Sequence, residues 1–326
     1  LSDELLISKE KVELSASICK VDLISELVGE FPELQGIMGG HFADVQGFDK
    51  DVSLAISEQY LPSGFNSKVP KKPYSIALSL ADKIDTLVGF FGINQKPTSS
   101  KDPFGLRRLA LGIVKTIIEN KKDFKIRDLV SYSSSLYFDQ GFKFENEFLQ
   151  KDLSYFLMDR LKFYMKEEKI RHDIINASIN SLNLDKSVVI FGKAKSLNKT
   201  IDKSDGIDVI SSYKRASNIL DSELKGNKLN LSNTTDPAIF KTELEKDLFK
   251  KINELRKYFQ SINKDENFEQ TLISLAESKK VVFDFFDSVI VNDKDPIIKK
   301  NRLELIQMLC KTFENYVNFS LIDSHK

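Results

Sequence analysis

Apolar residues recur at helical spacing through almost the whole of this 326-residue chain. Residues 106–117 and 153–168 are clear examples, since their apolar side chains return every three or four positions. An alternating apolar and polar pattern, typical of strands, never extends beyond a few residues. The sequence therefore predicts an all-α protein.

Composition indicates a globular protein with two domains or one large one, because 41 % of the residues are hydrophobic and 29 % are charged. The two cysteines, Cys19 and Cys310, are far apart and in no paired motif, which argues against a disulfide framework or a cysteine zinc site. Three histidines make a transition-metal centre a poor prediction. No apolar run approaches the roughly 18 residues of a membrane span, and no signal-peptide pattern opens the chain, so we expect a cytoplasmic protein with no membrane partner.

Several segments can be placed from their patterns. Apolar residues at 24, 27, 28 and 31 predict a buried helical stripe. Helices are also expected near 50–60 and 75–92, and glycine or proline content predicts loops over 36–50 and 61–74. Two Lys-, Asn- and Ser-rich passages, 192–206 and 226–237, are expected to be loops or linkers, the second one mobile.

The stretch SSKDPFGLRRLALG, residues 99–112, predicts a helix start. Ser100 or Asp102 can cap it, and Pro103 suits the first helical position. Arg107 and Arg108 then fall near the positive end of the helix dipole, where a cation is unfavourable. Such a local conflict suggests a binding role for the two arginines. The alternative is that Asp102 or another carboxylate pairs with them and they are structural.

A second basic group occurs in VISSYKRASNIL, residues 209–220. Lys214, Arg215 and Asn218 are helical neighbours, and their chemistry suits contacts to RNA phosphates and base edges. The opposite face is expected to be buried and contains Val209, Tyr213, Ala216 and Leu220.

A third basic group follows Pro296, which opens the last helix after an Asp295 cap. Lys299, Lys300 and Arg302 place cations in an early helical turn, as Arg107 and Arg108 do. Two helices with the same anomaly favour a shared anionic partner.

Carboxylates form a further group. Asp22, Glu26 and Glu30 are four residues apart, which predicts one helix face, and Asp82 and Asp85 lie on a later helix. Such carboxylates could hold a hard cation such as Mg²⁺, although solvated side chains are the favoured interpretation. The helical core and the phrase ADKID resemble HD-domain proteins, but the matching phrase ICKVDLI has Asp22 without the histidine, so we assign no metal site.

Several phrases, in order, resemble one family: the β subunit of bacterial tetrameric glycyl-tRNA synthetase. They include ICKVDLISELVGEFPELQGIMGGHFA, ALSLADKIDTLVGFFGI, KDPFGLRRLALGIVKTI, SYKRASNIL and FDFFDSVIVNDKDPIIKKNRLELIQML. The resemblance implies the C-terminal part of that subunit, which fits a chain that opens on Leu1 in mid-pattern. It implies a degenerate HD-like helical domain at 1–122, a helical linker region at 123–186 and a DALR-like anticodon-binding helical bundle at 187–326.

The resemblance also implies a function. This chain would bind tRNA(Gly), including its anticodon, and position it for aminoacylation with glycine by a separate α subunit in an α2β2 tetramer. ATP and Mg²⁺ would act on the α subunit, and this chain would bind no cofactor and contain no catalytic residue. The RNA-binding candidates are those found above: Arg107, Arg108, Lys214, Arg215, Asn218, Lys299, Lys300 and Arg302.

Two alternatives remain open. One is a metal-dependent HD-type phosphohydrolase, which stoichiometric metal and phosphatase activity would reveal. The other is a module that serves mainly in subunit assembly, for which we expect an exposed apolar face and weak RNA affinity.

Overall fold

A computed structural model describes residues 1–179, 184–226, 231–232, 234–261 and 267–323. Every regular element in these ranges is helical, which confirms the predicted all-α class. Compactness divides the chain into a first unit, Leu1–Glu167 with Leu182–Val188, and a second unit, Glu168–Ser181 with Val189–Lys326. The functional boundaries expected at residues 122 and 186 stay predictions.

The first unit is built around one long helix, α6. Its α-helices in the described residues are α1 (Ser2–Leu5), α2 (Lys9–Ile18), α3 (Glu26–Glu30), α4 (Ile37–Val45), α5 (Lys50–Glu58), α6 (Pro73–Gly92), α7 (Leu106–Glu119), α8 (Ile126–Asp139) and α9 (Leu149–Glu167). Helix α6 packs against α5, α7, α8 and α9. Its Leu80, Leu87 and Val88 are buried, and full burial of such a side chain contributes about 1.5–3 kcal/mol.

Helix α7 buries the face that its sequence predicts. Ile113, Val114 and Ile117 are in the core, and Leu109 is half-buried. Helices α5 and α6 also form close to the positions expected for them.

The predicted glycine-rich loop at 36–50 is wrong, because most of it is helix α4. Glycine here allows close packing instead of a turn. A Cβ built on Gly40 would lie 2.6 Å from the Ser53 carbonyl oxygen and 2.6 Å from Ser57 Cβ, both on α5. The missing side chain therefore lets α4 and α5 approach each other directly.

The predicted buried stripe over residues 24–31 is also wrong. A 3₁₀ turn at Val21–Ile24 ends at Ser25, whose hydroxyl oxygen accepts from the Val28 N–H at 3.3 Å and starts the short helix α3. Val28 is buried, but Ile24 is 87 % exposed and Phe31 is 49 % exposed. Two short elements thus replace one amphipathic helix, and apolar side chains remain at the surface.

The second unit is a separate helical bundle. Its α-helices in the described residues are α10 (His172–Ser178), α11 (Ser187–Thr200), α12 (Ser204–Gly226), α13 (Glu243–Ser261), α14 (Phe268–Ala276), α15 (Lys279–Ser288) and α16 (Pro296–Glu314). Helix α12 packs against α14, α15 and α16. Its predicted face is confirmed at Val209, Tyr213 and Ala216, which are buried, while Leu220 is half-buried.

The linker predicted at 192–206 is wrong, since helices α11 and α12 occupy most of it. The passage is rich in polar residues, but its Ala194, Leu197 and Ile201 are buried and lie three and four positions apart, which is helical spacing. Of the passage predicted to be mobile at 226–237, residues 227–230 and 233 lie outside the described residues, and its mobility stays a prediction.

Candidate nucleic-acid interface

The start of α7 is capped by Asp102. Its carboxylate accepts from the Leu106 N–H at 2.8 Å and from the Arg107 N–H at 3.0 Å. Gly105, at φ 65°, precedes the first helical residue, so Pro103 lies in the turn before the helix and not at its first position. The anionic cap offsets the positive end of the helix dipole beside two cations.

The two arginines of α7 differ in their surroundings. Arg107 is half-buried and donates from its guanidinium to the Thr98 carbonyl oxygen. Arg108 is exposed, and among the described residues its guanidinium has no hydrogen-bond or ion-pair partner. Because Asp102 is engaged by backbone amides, the expected alternative of an Asp102 ion pair is not what the structure shows. Arg108 is therefore available to an external anion.

The second basic group lies on α12, where neighbouring elements cover much of it. Lys214 donates from Nζ to the Ile322 carbonyl oxygen at 2.8 Å. Arg215 lies 2.5 Å from the Asp287 carboxylate, and its guanidinium carbon lies 4.9 Å from the ring centre of Phe283. Of the three residues expected at the surface, Asn218 is the exposed one, and Lys214 and Arg215 are half-buried.

The third basic group begins α16. Asp295 caps the helix by accepting from the Ile297 N–H at 2.8 Å, and Pro296 is its first residue, as predicted. Lys299 pairs with Glu223 at 2.7 Å and is largely covered. Lys300 is exposed, with Glu304 3.9 Å away on the next turn.

Arg302 is a structural residue. It is 5 % exposed, and its Nε donates to Glu245 at 2.8 Å. Its Nη1 donates to the Asp293 carboxylate and to the Ile290 carbonyl oxygen, each at 2.8 Å. A guanidinium with these partners is not presented to RNA, so we remove Arg302 from the predicted interface.

Glu245 completes this buried pair. Its carboxylate also accepts from the backbone N–H groups of Lys241 at 2.8 Å and Thr242 at 2.7 Å. Burial acts to raise the pKa of Glu245, but the hydrogen bonds from Arg302 and these amides outweigh it and hold the pKa below its ordinary value. The carboxylate is thus anionic and matched to Arg302.

The carboxylates considered for a cation are engaged separately. Asp22 is on the 3₁₀ turn and not on a common helix face with Glu26 and Glu30, which are exposed on α3. Its Oδ2 accepts from the Gly36 N–H at 2.6 Å and the Gly39 N–H at 3.1 Å.

The later pair is engaged as well. Asp82 forms an ion pair with Lys20 at 2.6 Å, and Asp85 accepts from the Ser133 hydroxyl at 2.9 Å. Among the described residues, no three His, Cys, Asp or Glu side chains are arranged to hold a metal ion.

Lys83 was not singled out from the sequence, although it lies within ADKID. It is 1 % exposed and donates to the carbonyl oxygens of Gln59 at 3.1 Å and Leu61 at 2.8 Å, and to the Ser79 hydroxyl at 2.8 Å. Burial lowers its pKa to about 8. Position 83 falls between buried positions of α6, which is the one signal that it faces inward.

Two protein-family models match separate parts of the chain. Residues 1–180, more than half of the chain, match the family model described as glycyl-tRNA synthetase beta subunit. The chain belongs to that family. Residues 209–322 match a second model, the DALR anticodon binding domain. Arg107 and Arg108 fall in the glycyl-tRNA synthetase match, and the basic groups of α12 and α16 fall in the DALR match.

Individual members of the family match nearly the whole of this chain. The glycine–tRNA ligase beta subunits of Rickettsia canadensis and Rickettsia bellii are 38 % and 39 % identical to this chain, and that of Rickettsia africae is 36 % identical. Each comparison covers 94 % of this chain but 43–44 % of the relative. The chain thus spans less than half the length of these relatives, and the region matched is their C-terminal part.

The helices were also compared with the requirements of a membrane span. None of those in the described residues combines the length and apolar character needed to cross a bilayer.

Proposed function

We propose that this chain is a tRNA-binding part of a glycine–tRNA ligase β subunit, acting in the cytoplasm. The observation that carries the proposal is the DALR anticodon-binding match over residues 209–322, joined to a glycyl-tRNA synthetase match over 1–180. The chain holds tRNA(Gly) so that its 3′ end reaches a companion α subunit of an α2β2 tetramer. That subunit joins glycine to the tRNA with ATP and Mg²⁺, as the family resemblance implies.

In the first unit, Arg108 is the leading candidate for a phosphate contact. Its guanidinium is exposed and unpaired among the described residues, and the capped start of α7 fixes the backbone below it. Arg107 supports the same surface by joining α7 to the loop at Thr98. A guanidinium presents a planar set of donors that suits phosphate oxygens.

In the second unit, Asn218 and Lys300 are the leading candidates because they are exposed. Lys214, Arg215 and Lys299 are secondary candidates, since RNA would have to compete with their present partners. Arg302 is buried and bonded to Glu245, so it is a structural residue of this unit and not a candidate for RNA contact.

An open groove beside the start of α16 supports a role for Lys300. Lys300, Ile297 and Thr235 are among the residues that line it. Ile297 is 63 % exposed, so the groove offers an apolar contact next to a cation and a hydroxyl. A cation and a hydroxyl are the groups that contact RNA phosphates and the edges of unstacked bases.

Fluorescence-anisotropy titration of the chain with tRNA(Gly) tests this function. A parallel titration uses the same tRNA with an altered anticodon. Tighter binding of the native tRNA is the expected result, with a preference that falls in Lys300→Gln. Equal affinity for both tRNAs would contradict anticodon recognition by this chain, and absence of binding would overturn the function.

A further inference from the structure

An exposed aromatic ring lies beside the two arginines of α7. Phe104 is in the turn before the helix and is 47 % exposed. Its ring centre lies 4.2 Å from that of Phe90 on α6, and the two ring planes meet at 27°. Stacked rings attract each other, so half-buried Phe90 supports the Phe104 ring from one side. Because one face is covered by Phe90, the exposed area of Phe104 lies on the opposite face and the edge of its ring.

The turn that carries Phe104 is held on both sides. Before it, the Asp102 carboxylate caps α7, and the Asp102 carbonyl oxygen accepts from the Gly105 N–H at 3.2 Å. After it, the Arg107 guanidinium donates to the Thr98 carbonyl oxygen. The ring is therefore already in place for a ligand, and little conformational entropy would be lost on binding.

Arg108 reaches back over this turn. A Cβ built on Gly105 would lie 2.8 Å from Arg108 Nη2, so the missing side chain leaves the space beside the guanidinium. Gly105 directly follows Phe104, and its φ of 65° also favours glycine. An exposed ring and an exposed guanidinium, which has no ion-pair partner in the described residues, thus lie on neighbouring parts of one surface.

The charge of this segment selects the kind of ligand. Residues 86–114 contain four Lys or Arg and one carboxylate, Asp102, which is engaged by backbone amides. Lys96 is paired with Asp152 of α9, whereas Lys101 is exposed and forms no ion pair among the described residues. An aromatic ring among cations fits a ligand that has a flat ring and a negative charge.

Nucleotides of single-stranded RNA have both features. Every unstacked base offers a flat face to an aromatic side chain, and every linkage between nucleotides carries a phosphate. A base inside a duplex lacks the first feature, because neighbouring base pairs cover its faces. The surface formed by Phe104 and Arg108 therefore suits an unpaired nucleotide better than a base-paired one.

We propose that Phe104 stacks on an unpaired base of the RNA, next to a phosphate bound by Arg108. This inference rests on the proposed function, because it takes tRNA as the ligand of the chain. It assigns the start of α7 to a single-stranded part of the tRNA and not to one of its stems.

The test is fluorescence-anisotropy titration of tRNA(Gly) with the unaltered chain and three variants, at several salt concentrations. Phe104→Leu removes the ring, and Phe104→Tyr keeps one. Phe142→Leu is the matched control, since Phe142 is 56 % exposed and lies in the same unit, between α8 and α9. We expect Phe104→Leu to raise Kd about fivefold or more, and Phe104→Tyr and Phe142→Leu to leave it unchanged.

The salt dependence separates stacking from charge. Phe104→Leu removes no cation, so the slope of log affinity against log salt should stay the same while affinity falls at every salt concentration. A second titration compares a short single-stranded RNA with the duplex formed from it and its complement. Phe104→Leu should weaken binding of the single strand and leave binding of the duplex unchanged.

Several results would overturn the proposal. These are unchanged tRNA affinity in Phe104→Leu, an equal loss in Phe142→Leu, or equal losses for the single strand and the duplex. Loss of affinity in both Phe104→Leu and Phe104→Tyr, with a lower free energy of unfolding, would assign the ring to packing on Phe90 alone. A shallower slope in Arg108→Gln with normal binding by Phe104→Leu would refute this inference and leave the proposed function standing. Absence of tRNA binding by the unaltered chain would refute both.

Discussion

Helices α7 and α16 both carry arginine in their first two turns, yet they use it in opposite ways. Arg108 on α7 is exposed, and its guanidinium has no ion-pair partner in the described part of the chain. Arg302 on α16 is buried between Glu245 and Asp293. The difference comes from the surroundings. Helix α16 lies within reach of carboxylates from other elements, whereas Asp102, the carboxylate just before the start of α7, is engaged by backbone amides.

This comparison separates cations that hold the fold from cations that are free to bind. Helix position does not distinguish them, because both helices begin with an anionic cap followed by cations. The two kinds of cation are distinguished by the burial of the side chain and by the number of hydrogen-bond acceptors around it.

Arg302→Met should lower the free energy of unfolding by about 3–5 kcal/mol, because it leaves Glu245 buried without its guanidinium partner. Urea denaturation measures this. The control is Lys300→Met, two residues earlier on α16 and exposed, which should change stability by less than about 0.5 kcal/mol. Similar small effects of both substitutions would show that Arg302 is not the structural residue described here.

Lys83 sharpens the comparison, since it is a buried cation held by oxygen acceptors without an ion-pair partner in the described residues. Its pKa is lowered from 10.5 to about 8, so between these values the unfolded chain binds the extra proton and folding is favoured as pH rises. Relative to Lys83→Met, the unaltered protein should gain about 2 kcal/mol between pH 8 and 10. Chemical denaturation at several pH values measures the gain, and parallel pH profiles would contradict the lowered pKa.

Glu245 should make the free energy of unfolding depend on pH in the acid range, whereas Lys83 does so in the alkaline range. Its pKa in the folded protein is below the ordinary 4.5, so its stabilising effect is complete above that value and is lost as pH falls through the lower one. In Arg302→Met, the buried Glu245 carboxylate has lost its guanidinium partner. Its protonation therefore stabilises the folded variant, because a neutral carboxyl group is less costly to bury than a charged one. The stability difference between the unaltered protein and Arg302→Met should therefore narrow below pH 4.5, and denaturation at pH 6, 4 and 3 would show it. A difference that stays constant would mean that Glu245 and Arg302 are not coupled.

Helix type and the faces of the long helices were predictable from the sequence, because burial of residues such as Ile113 and Val209 leaves a periodic trace. Helix α4 was not, since Gly40 signals a loop by propensity but serves close packing against Ser53 and Ser57. The loop predicted over 192–206 is wrong for the opposite reason, because many polar residues surround a narrow buried stripe at Ala194, Leu197 and Ile201.

The candidate site was predictable as a set of basic residues but not as a set of free ones. Arg302 and Glu245 are 57 positions apart, and no local pattern announces their pairing. Arg215 likewise meets Asp287 and Phe283 only through the packing of α12 on α15. Tertiary contacts decide which cations are available to RNA, and local spacing contains no record of them.

We propose that Arg108 binds RNA and that Arg302 does not. The most direct measurement is the salt dependence of tRNA(Gly) affinity for the unaltered chain and for Arg108→Gln, with Lys162→Gln, an exposed lysine on α9, as the control. The plot of log affinity against log salt should become shallower by about 0.7–0.9 in Arg108→Gln, with stability unchanged and the control slope the same as that of the unaltered chain. An unchanged slope in Arg108→Gln, or an equal change in Lys162→Gln, would contradict the claim.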